Sequence, residues 1–268
     1  MTPPPAQHTA LSEAAPRHGL VGFVQRRRWT VEVFFFALAL LAYQGSRALV
    51  IGNPTDAFHN ALDVIGLEKA HGFFFESDIQ GWLMDNLHVA QFLNHFYVWA
   101  HLPITAAFFI WLYRRRRQAY PFVRNAFFVA NAVALSVFVI YPVAPPRLMT
   151  NQGFTDTLSI ISGIDLHAGH LSGWFNPFAA VPSMHFAYAL MIGVVCAVLV
   201  RNWALKALAL AYPVLVFITI VGTANHYVLD ALAGGMVMIV AFTAMGLWRV
   251  ARRRLAAAAA PGADTTAA

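Results

Sequence analysis

Three short stretches of this chain combine side chains that can bind an anion with side chains that can move a proton. The first is Tyr141-Pro-Val-Ala-Pro-Pro-Arg147. Its prolines cannot continue a helix, so they stop the apolar run before them and fix the next turn. The planar fork of the Arg147 guanidinium suits a phosphate or a carboxylate. The plain alternative is an interfacial arginine facing lipid headgroups. The second stretch is Val181-Pro-Ser-Met-His185, which opens an apolar run. Ser183 follows a proline and precedes helical spacing, so it reads as an N-cap. The N–H groups of the next turn then form an anion site, with His185 in that first turn. The third is Gly222-Thr-Ala-Asn-His226-Tyr-Val-Leu-Asp230. His226 and Asp230 are four apart and share a helix face. Asp230 can accept from one ring nitrogen of His226, fixing the tautomer and leaving the other nitrogen free to react.

The elements that must position these groups follow from composition. Of 268 residues 59% are apolar and 11% charged, where a soluble domain carries about 45–50% and about 25%. That balance excludes an ordinary soluble enzyme, a disordered chain and a coiled coil. The net charge of +6 sits in short basic clusters and not on one face, which argues against nucleic acid. The single cysteine, Cys196, cannot form an intrachain disulfide. A membrane crossing needs about 20 mostly apolar residues. Six runs qualify, at 31–51, 92–113, 125–145, 182–200, 205–222 and 227–248. Arg17, Arg26 to Arg28, Arg114 to Arg117, Arg124, Arg201, Lys206, Arg249 and Arg252 to Arg254 lie at alternate ends of these runs, leaving only Arg47, Lys69 and Arg147 for the other side. Basic residues stay cytoplasmic, so an even number of spans with both termini in the cytoplasm is expected. The three groups then fall at the extracytoplasmic ends of spans three, four and six.

The expected fold class is all-α: a polytopic bundle of six transmembrane helices, occupying 26–255 between flexible cytoplasmic tails at 1–25 and 256–268. The long connections 52–91 and 146–181 lie outside the cytoplasm. In the first, Ala57, Ala61, Val64 and Ile65 recur at helical spacing. One or two amphipathic helices are expected there, lying in the outer interface or capping the bundle.

An Arg, then Pro-Ser-x-His, then His-x-x-x-Asp on three helix ends of a six-span chain resembles the type 2 phosphatidic-acid phosphatase superfamily. Tyr141–Arg147 together with Asn176-Pro-Phe-Ala-Ala-Val-Pro-Ser-Met-His185, and the segment from Gly66-Leu-Glu68 to Ile79-Gln-Gly-Trp82, look most like the branch with the inositol phosphorylceramide synthases. The resemblance implies a plasma-membrane lipid phosphatase or phosphotransferase working at the outer leaflet, with water or an alcohol as acceptor. In it His226 would attack phosphorus to give a phosphohistidine, Asp230 would orient His226, and His185 would protonate the leaving oxygen. Arg147 and Ser183 would hold the phosphoryl oxygens. The expected partners are membrane lipids and a lipid phosphate; no metal or other cofactor is implied.

The chain departs from the family pattern in three places. A Lys expected seven residues before Arg147 is Ile140, a Ser-Arg pair expected before His226 is Thr219-Ile220, and the Gly between Ser and His is Met184. Two phosphate-clamping cations are therefore absent, which favours a diester over a dianionic monoester. Arg47, near the outer end of span one with Tyr43 a turn before it, is expected to replace one of them. The competing readings are an intramembrane serine hydrolase using Ser183, a metal enzyme using Asp165, His167 and His170, and a non-enzymatic transporter or lipid-binding protein.

Overall fold

Every described element of the protein is a helix or a turn. The structure is a computed structural model describing residues 28–50, 54–166 and 176–258, with the side chains of 28, 46–50 and 257–258 outside the description. The N-terminal tail, the side chain of Arg47, His167, His170 and residues 259–268 lie outside the described residues. The chain divides into two compact units, 1–41 and 42–268. Helix α1 (Arg28–Val50) runs across that division, and every later helix belongs to the second unit.

After α1 come α2 (Pro54–His71), α3 (Glu76–Asp85) and α4 (Leu87–His95). A five-residue π-turn, Phe96–Ala100, joins α4 to α5 (His101–Arg115). The turn has a local cause: Pro103 has no N–H for the Trp99 carbonyl and its ring crowds that position, so the helical ladder opens there. Next come α6 (Tyr120–Ile140), a short α7 (Thr157–Ser162), α8 (Met184–Leu199), α9 (Trp203–Gly222) and α10 (Val228–Ala258). Among the described residues four continuous helical stretches are long and apolar enough to cross a bilayer: Leu87–Arg115, Tyr120–Ile140, Trp203–Gly222 and Val228–Ala256. Trp29–Gly45 and Met184–Leu199 are apolar but shorter. Large apolar side chains such as Leu102, Val198, Leu208 and Ile239 face outward. A water-soluble surface does not tolerate patches of that extent, so the chain is an integral, multi-pass membrane protein.

The expected third span reached 145, whereas α6 ends at Ile140. Pro142, Pro145 and Pro146 cannot donate to the helix ladder, and residues before proline are pushed to extended backbone. The second span begins earlier than expected, at Leu87, because α4 and α5 continue through the π-turn. The last helix runs to Ala258, into the segment expected to be a tail; alanine is the best helix former.

Two close approaches set the packing. Helix α9 contains Pro213, which leaves the Ala209 carbonyl without its helical donor. Opposite that carbonyl sits Gly193 of α8, where a Cβ would stand 2.8 Å from the Ala209 oxygen. Helix α10 packs against both α6 and α8. At Gly234 a Cβ would collide with the Ser183 carbonyl, so glycine there is what lets α10 reach the start of α8.

Helix α2 caps one end of the bundle. Its stripe of Ala57, Ala61, Val64 and Ile65 packs with Val143, Ala144, Phe178, Ala224 and Tyr227. The expected amphipathic helices are therefore present, and their buried face meets protein. Phe58, Leu62 and Leu67 remain exposed on the other face of α2.

Candidate active site

The segment 141–145 leads from the end of α6 into a 3-10 turn at Pro146–Leu148, and 141–147 is stitched on three sides. The Val143 N–H donates to the Phe178 carbonyl at 2.9 Å, the Ala144 N–H to Ala57 at 2.9 Å, and the Arg147 N–H to Ala224 at 2.7 Å. The Asn60 amide donates to the Pro142 carbonyl at 2.9 Å. These bonds bring the end of α6, the approach to α8 and the α9–α10 turn to one place, although they are far apart in sequence.

That turn has a recognisable geometry. At the end of α9 the Ala224 N–H donates to Val221 and the Asn225 N–H to Ile220, the bond pair of a Schellman motif. The left-handed position is Ala224, with φ +53°, where glycine is usual; the strain is about 1–2 kcal/mol. Its methyl is fully buried among the α2 residues, which offsets part of that cost. The turn releases the chain with His226 just ahead of α10.

Nδ1 of His226 lies 3.0 Å from the Ala180 carbonyl oxygen and 3.2 Å from Oδ2 of Asp230. A carbonyl can only accept, so Nδ1 carries the hydrogen and Nε2 keeps its lone pair. Oδ2 of Asp230 also accepts from the Tyr227 N–H at 2.9 Å, and Asp230 is fully buried. The His226 ring is thus held through Nδ1 from two directions, and its Nε2 is left bare.

Ser183 caps α8: its Oγ accepts from the Phe186 N–H at 3.4 Å. Its own N–H donates to the Asp230 carbonyl at 2.8 Å, which locks the start of α8 to α10. His185 follows in the first turn. Its ring centroid is 5.7 Å from that of His226, so one phosphoryl group can touch both. His185 stacks on Tyr97 at 4.5 Å and meets His101 at 4.5 Å. His101 in turn stacks on Tyr188 and shares a hydrogen bond with the Tyr212 hydroxyl at 3.4 Å.

Arg147 is 5% exposed and pairs with Asp156 at 3.4 Å. The Tyr97 ring borders His226 with ring centroids 6.5 Å apart. Asp156 also accepts from the Ser159 hydroxyl and N–H as the cap of α7. The flanking residues are anchored too: Gln80 makes two hydrogen bonds with the Thr155 backbone, and the Asn94 amide donates to the Thr157 carbonyl.

Of the residues singled out from the sequence, Arg147, Ser183, His185, His226 and Asp230 gather at one end of the bundle. Arg47 has no described side chain, while the Tyr43 hydroxyl accepts from the Asn176 N–H at 3.0 Å. At the two positions where family cations are missing, Ile140 is 80% exposed on the outer surface and Ile220 lies in the core. Asp165 is exposed, and among the described residues no three His, Cys, Asp or Glu side chains converge as a metal site. Sequence reasoning gave no role to Tyr97, His101, Asp156, Glu68 or Glu76. A readable signal existed for Glu68, which continues the 57-61-64-65 buried stripe, and for His101, a histidine inside an apolar run.

An apolar cleft of about 550 Å³ opens between α5, α8 and α9, lined by residues such as Ile104, Trp111, Cys196 and Leu208. Its lining residue Tyr212 shares a hydrogen bond with His101, and none of Arg147, Ser183, His185, His226 and Asp230 lines it.

A bare histidine nitrogen, a second histidine, an arginine and a helix N-terminus are together suited to phosphoryl transfer, which is mostly positioning and charge stabilisation. Comparison with known proteins agrees. The family model described as PAP2 superfamily matches residues 62–244. The phosphoinositol dihydroceramide synthase of Bacteroides thetaiotaomicron is 27% identical over 157 residues, or 53% of this chain. The match spans 51% of that relative, about half its length. No solved structure matches. The chain belongs to the PAP2 superfamily.

Proposed function

We propose that this protein is an inositolphosphotransferase-like enzyme. It cleaves a lipid phosphodiester on the extracytoplasmic side of the membrane and passes the phosphorylated headgroup to a lipid alcohol. The observation that carries the reading is the His226 ring, held through Nδ1 by Ala180 and Asp230 with Nε2 bare beside His185.

In the first step Nε2 of His226 attacks phosphorus and the bond to the lipid oxygen breaks. His185 gives that oxygen its proton, and diacylglycerol leaves. Arg147, Ser183 and the first-turn N–H groups of α8 hold the non-bridging oxygens. In the second step the acceptor hydroxyl yields its proton to His185 and attacks phosphorus. The P–N bond breaks and His226 is restored. Asp230 stabilises the charge that builds on the His226 ring in between.

Two facts support a diester donor and an alcohol acceptor. The family pattern has cations at the positions of Ile140 and Ile220, and a chain without them suits a diester, which carries only one negative charge. The relative from Bacteroides thetaiotaomicron is named for joining phosphoinositol to dihydroceramide.

The test is incubation of the purified protein in detergent with phosphatidylinositol, with and without a ceramide, beside phosphatidic acid as a monoester control. Products are identified by mass spectrometry. We expect a phosphoinositol ceramide and diacylglycerol only when both lipids are present. His226→Ala should lower turnover by at least about a thousand-fold. Release of inorganic phosphate from phosphatidic acid with no transfer product would replace this reading by a simple phosphatase. Retained activity in His226→Ala would remove the mechanism.

A further inference from the structure

A buried carboxylate is costly unless it is well paired, and this protein buries two together beside α10. Glu68 of α2 and Glu76 at the start of α3 are both 0% exposed. One oxygen of each has a clear task. Oε1 of Glu76 accepts from the Val228 N–H at 2.8 Å, and Oε1 of Glu68 from the Leu229 N–H at 2.7 Å. These are the first two amides of α10, which have no helical acceptor, and the helix dipole favours negative charge there. The preceding amide, of Tyr227, goes to Asp230. Three successive N–H groups are therefore held by three carboxyl groups from three helices.

The remaining oxygens explain the pairing. Oε2 of Glu68 and Oε2 of Glu76 are both buried without a donor, on two carboxyls that accept from neighbouring amides. As two anions they would repel. A single proton between them gives each Oε2 a partner and removes one charge. Burial, and then Glu76, push Glu68 up from 4.5 to about 9. Asp230 on α10 acts in the same direction. The Tyr227 phenol, also facing the pair, is kept neutral by its own burial.

We propose that Glu68 and Glu76 share one proton and together clamp the first turn of α10, which makes them positioning residues for His226 and Asp230. The proposal rests on His226 being the reacting group, but its tests need no turnover, so an inactive substrate panel does not decide them.

The first test is infrared spectroscopy of the full-length protein in detergent. A protonated carboxyl C=O band is expected at neutral pH, lost on titration near 9 and lost in both Glu68→Gln and Glu76→Gln. Absence of the band, or a band that survives both substitutions and vanishes only in Asp230→Asn, overturns the shared proton. The second test is thermal stability against pH. Folded Glu68 keeps its proton to about 9, while its ordinary value is 4.5. Its contribution is therefore complete below about 4.5 and is lost as pH rises through about 9. The wild-type Tm should fall across that window and the Glu68→Gln Tm should fall less; parallel curves count against the pair.

The positioning role is read from spectra of nitrogen-labelled histidine, with His226 assigned by its loss in His226→Ala. Glu68→Ala should shift the His226 signal and Glu68→Gln should restore it. Should Glu68→Ala not fold, the wild type carried from neutral pH to above 9 gives the same comparison. An unmoved His226 signal in both comparisons reduces the pair to a structural anchor and overturns the positioning role.

Discussion

At the scale of single residues, the useful facts concern hydrogens. A histidine between a carboxylate and a second acceptor can be oriented in either of two tautomers. Here the Ala180 carbonyl removes the choice, because it cannot donate. Ser183 is a second case. Its oxygen is occupied as an acceptor by the Phe186 N–H, so its own hydrogen is left to donate to a phosphoryl oxygen. That hydrogen is what the proposed phosphate-holding role of Ser183 needs. Ser183→Ala should cost about 1 kcal/mol of stability through the lost cap. It should lower turnover about ten- to a hundred-fold, the worth of one hydrogen bond to a charged group. Steady-state kinetics and thermal unfolding of the variant check both numbers. Complete loss of activity in a well-folded variant would favour a serine nucleophile instead.

At the scale of elements, the site is a meeting of helix ends, and glycine decides how closely they meet. The Ser183 N–H reaches the Asp230 carbonyl at 2.8 Å only because Gly234, one turn further along α10, has no side chain to strike the Ser183 carbonyl. The obstacle is backbone, so it cannot rotate aside. Gly234→Ala should push α10 away from α8 and separate His226 from His185. A misplacement near 1 Å costs about a hundred-fold in rate, and overpacking costs about 1–3 kcal/mol. We expect a variant that still folds, with reduced Tm and kcat down by about that factor. Wild-type kcat in Gly234→Ala would mean that the close approach does not set the catalytic geometry. The neighbouring Gly235 faces the ring edge of Phe186, a flexible side chain, so Gly235→Ala serves as the milder control.

At the scale of the whole molecule, the second unit is asymmetric from end to end. The arginine-rich turns gather at one end, where the Arg116 guanidinium donates to the Leu199 carbonyl at 3.0 Å. The histidines, Arg147 and the α2 cap occupy the other. If positive charge is retained in the cytoplasm, the reacting groups face outward. The test is labelling of intact cells with a membrane-impermeant maleimide, in a Cys196→Ser background. Thr150→Cys, beside Arg147, should react, and Arg117→Cys should react only after lysis. The reverse pattern would place the site on the cytoplasmic face and remove the outer-leaflet assignment.

The sequence by itself determined the helical class of the fold and offered the candidate residues of the site. Apolar run length is dictated by bilayer thickness, and it made the helices countable; proline and serine marked where several of them stop and start. Arg147, Ser183, His185, His226 and Asp230 were legible because each is a polar residue where an apolar run begins or ends, a placement that is costly without a use. Only the tertiary structure decided which tautomer His226 adopts, since the Ala180 carbonyl comes from 46 positions away. The same holds for Asp156 beside Arg147 and for Glu68 and Glu76 at the start of α10. Hydrogen bonds are short and directional, and their partners here come from turns and caps whose course no local periodicity encodes. Helix formation depends on neighbours along the chain, while satisfying a buried polar group depends on neighbours in space.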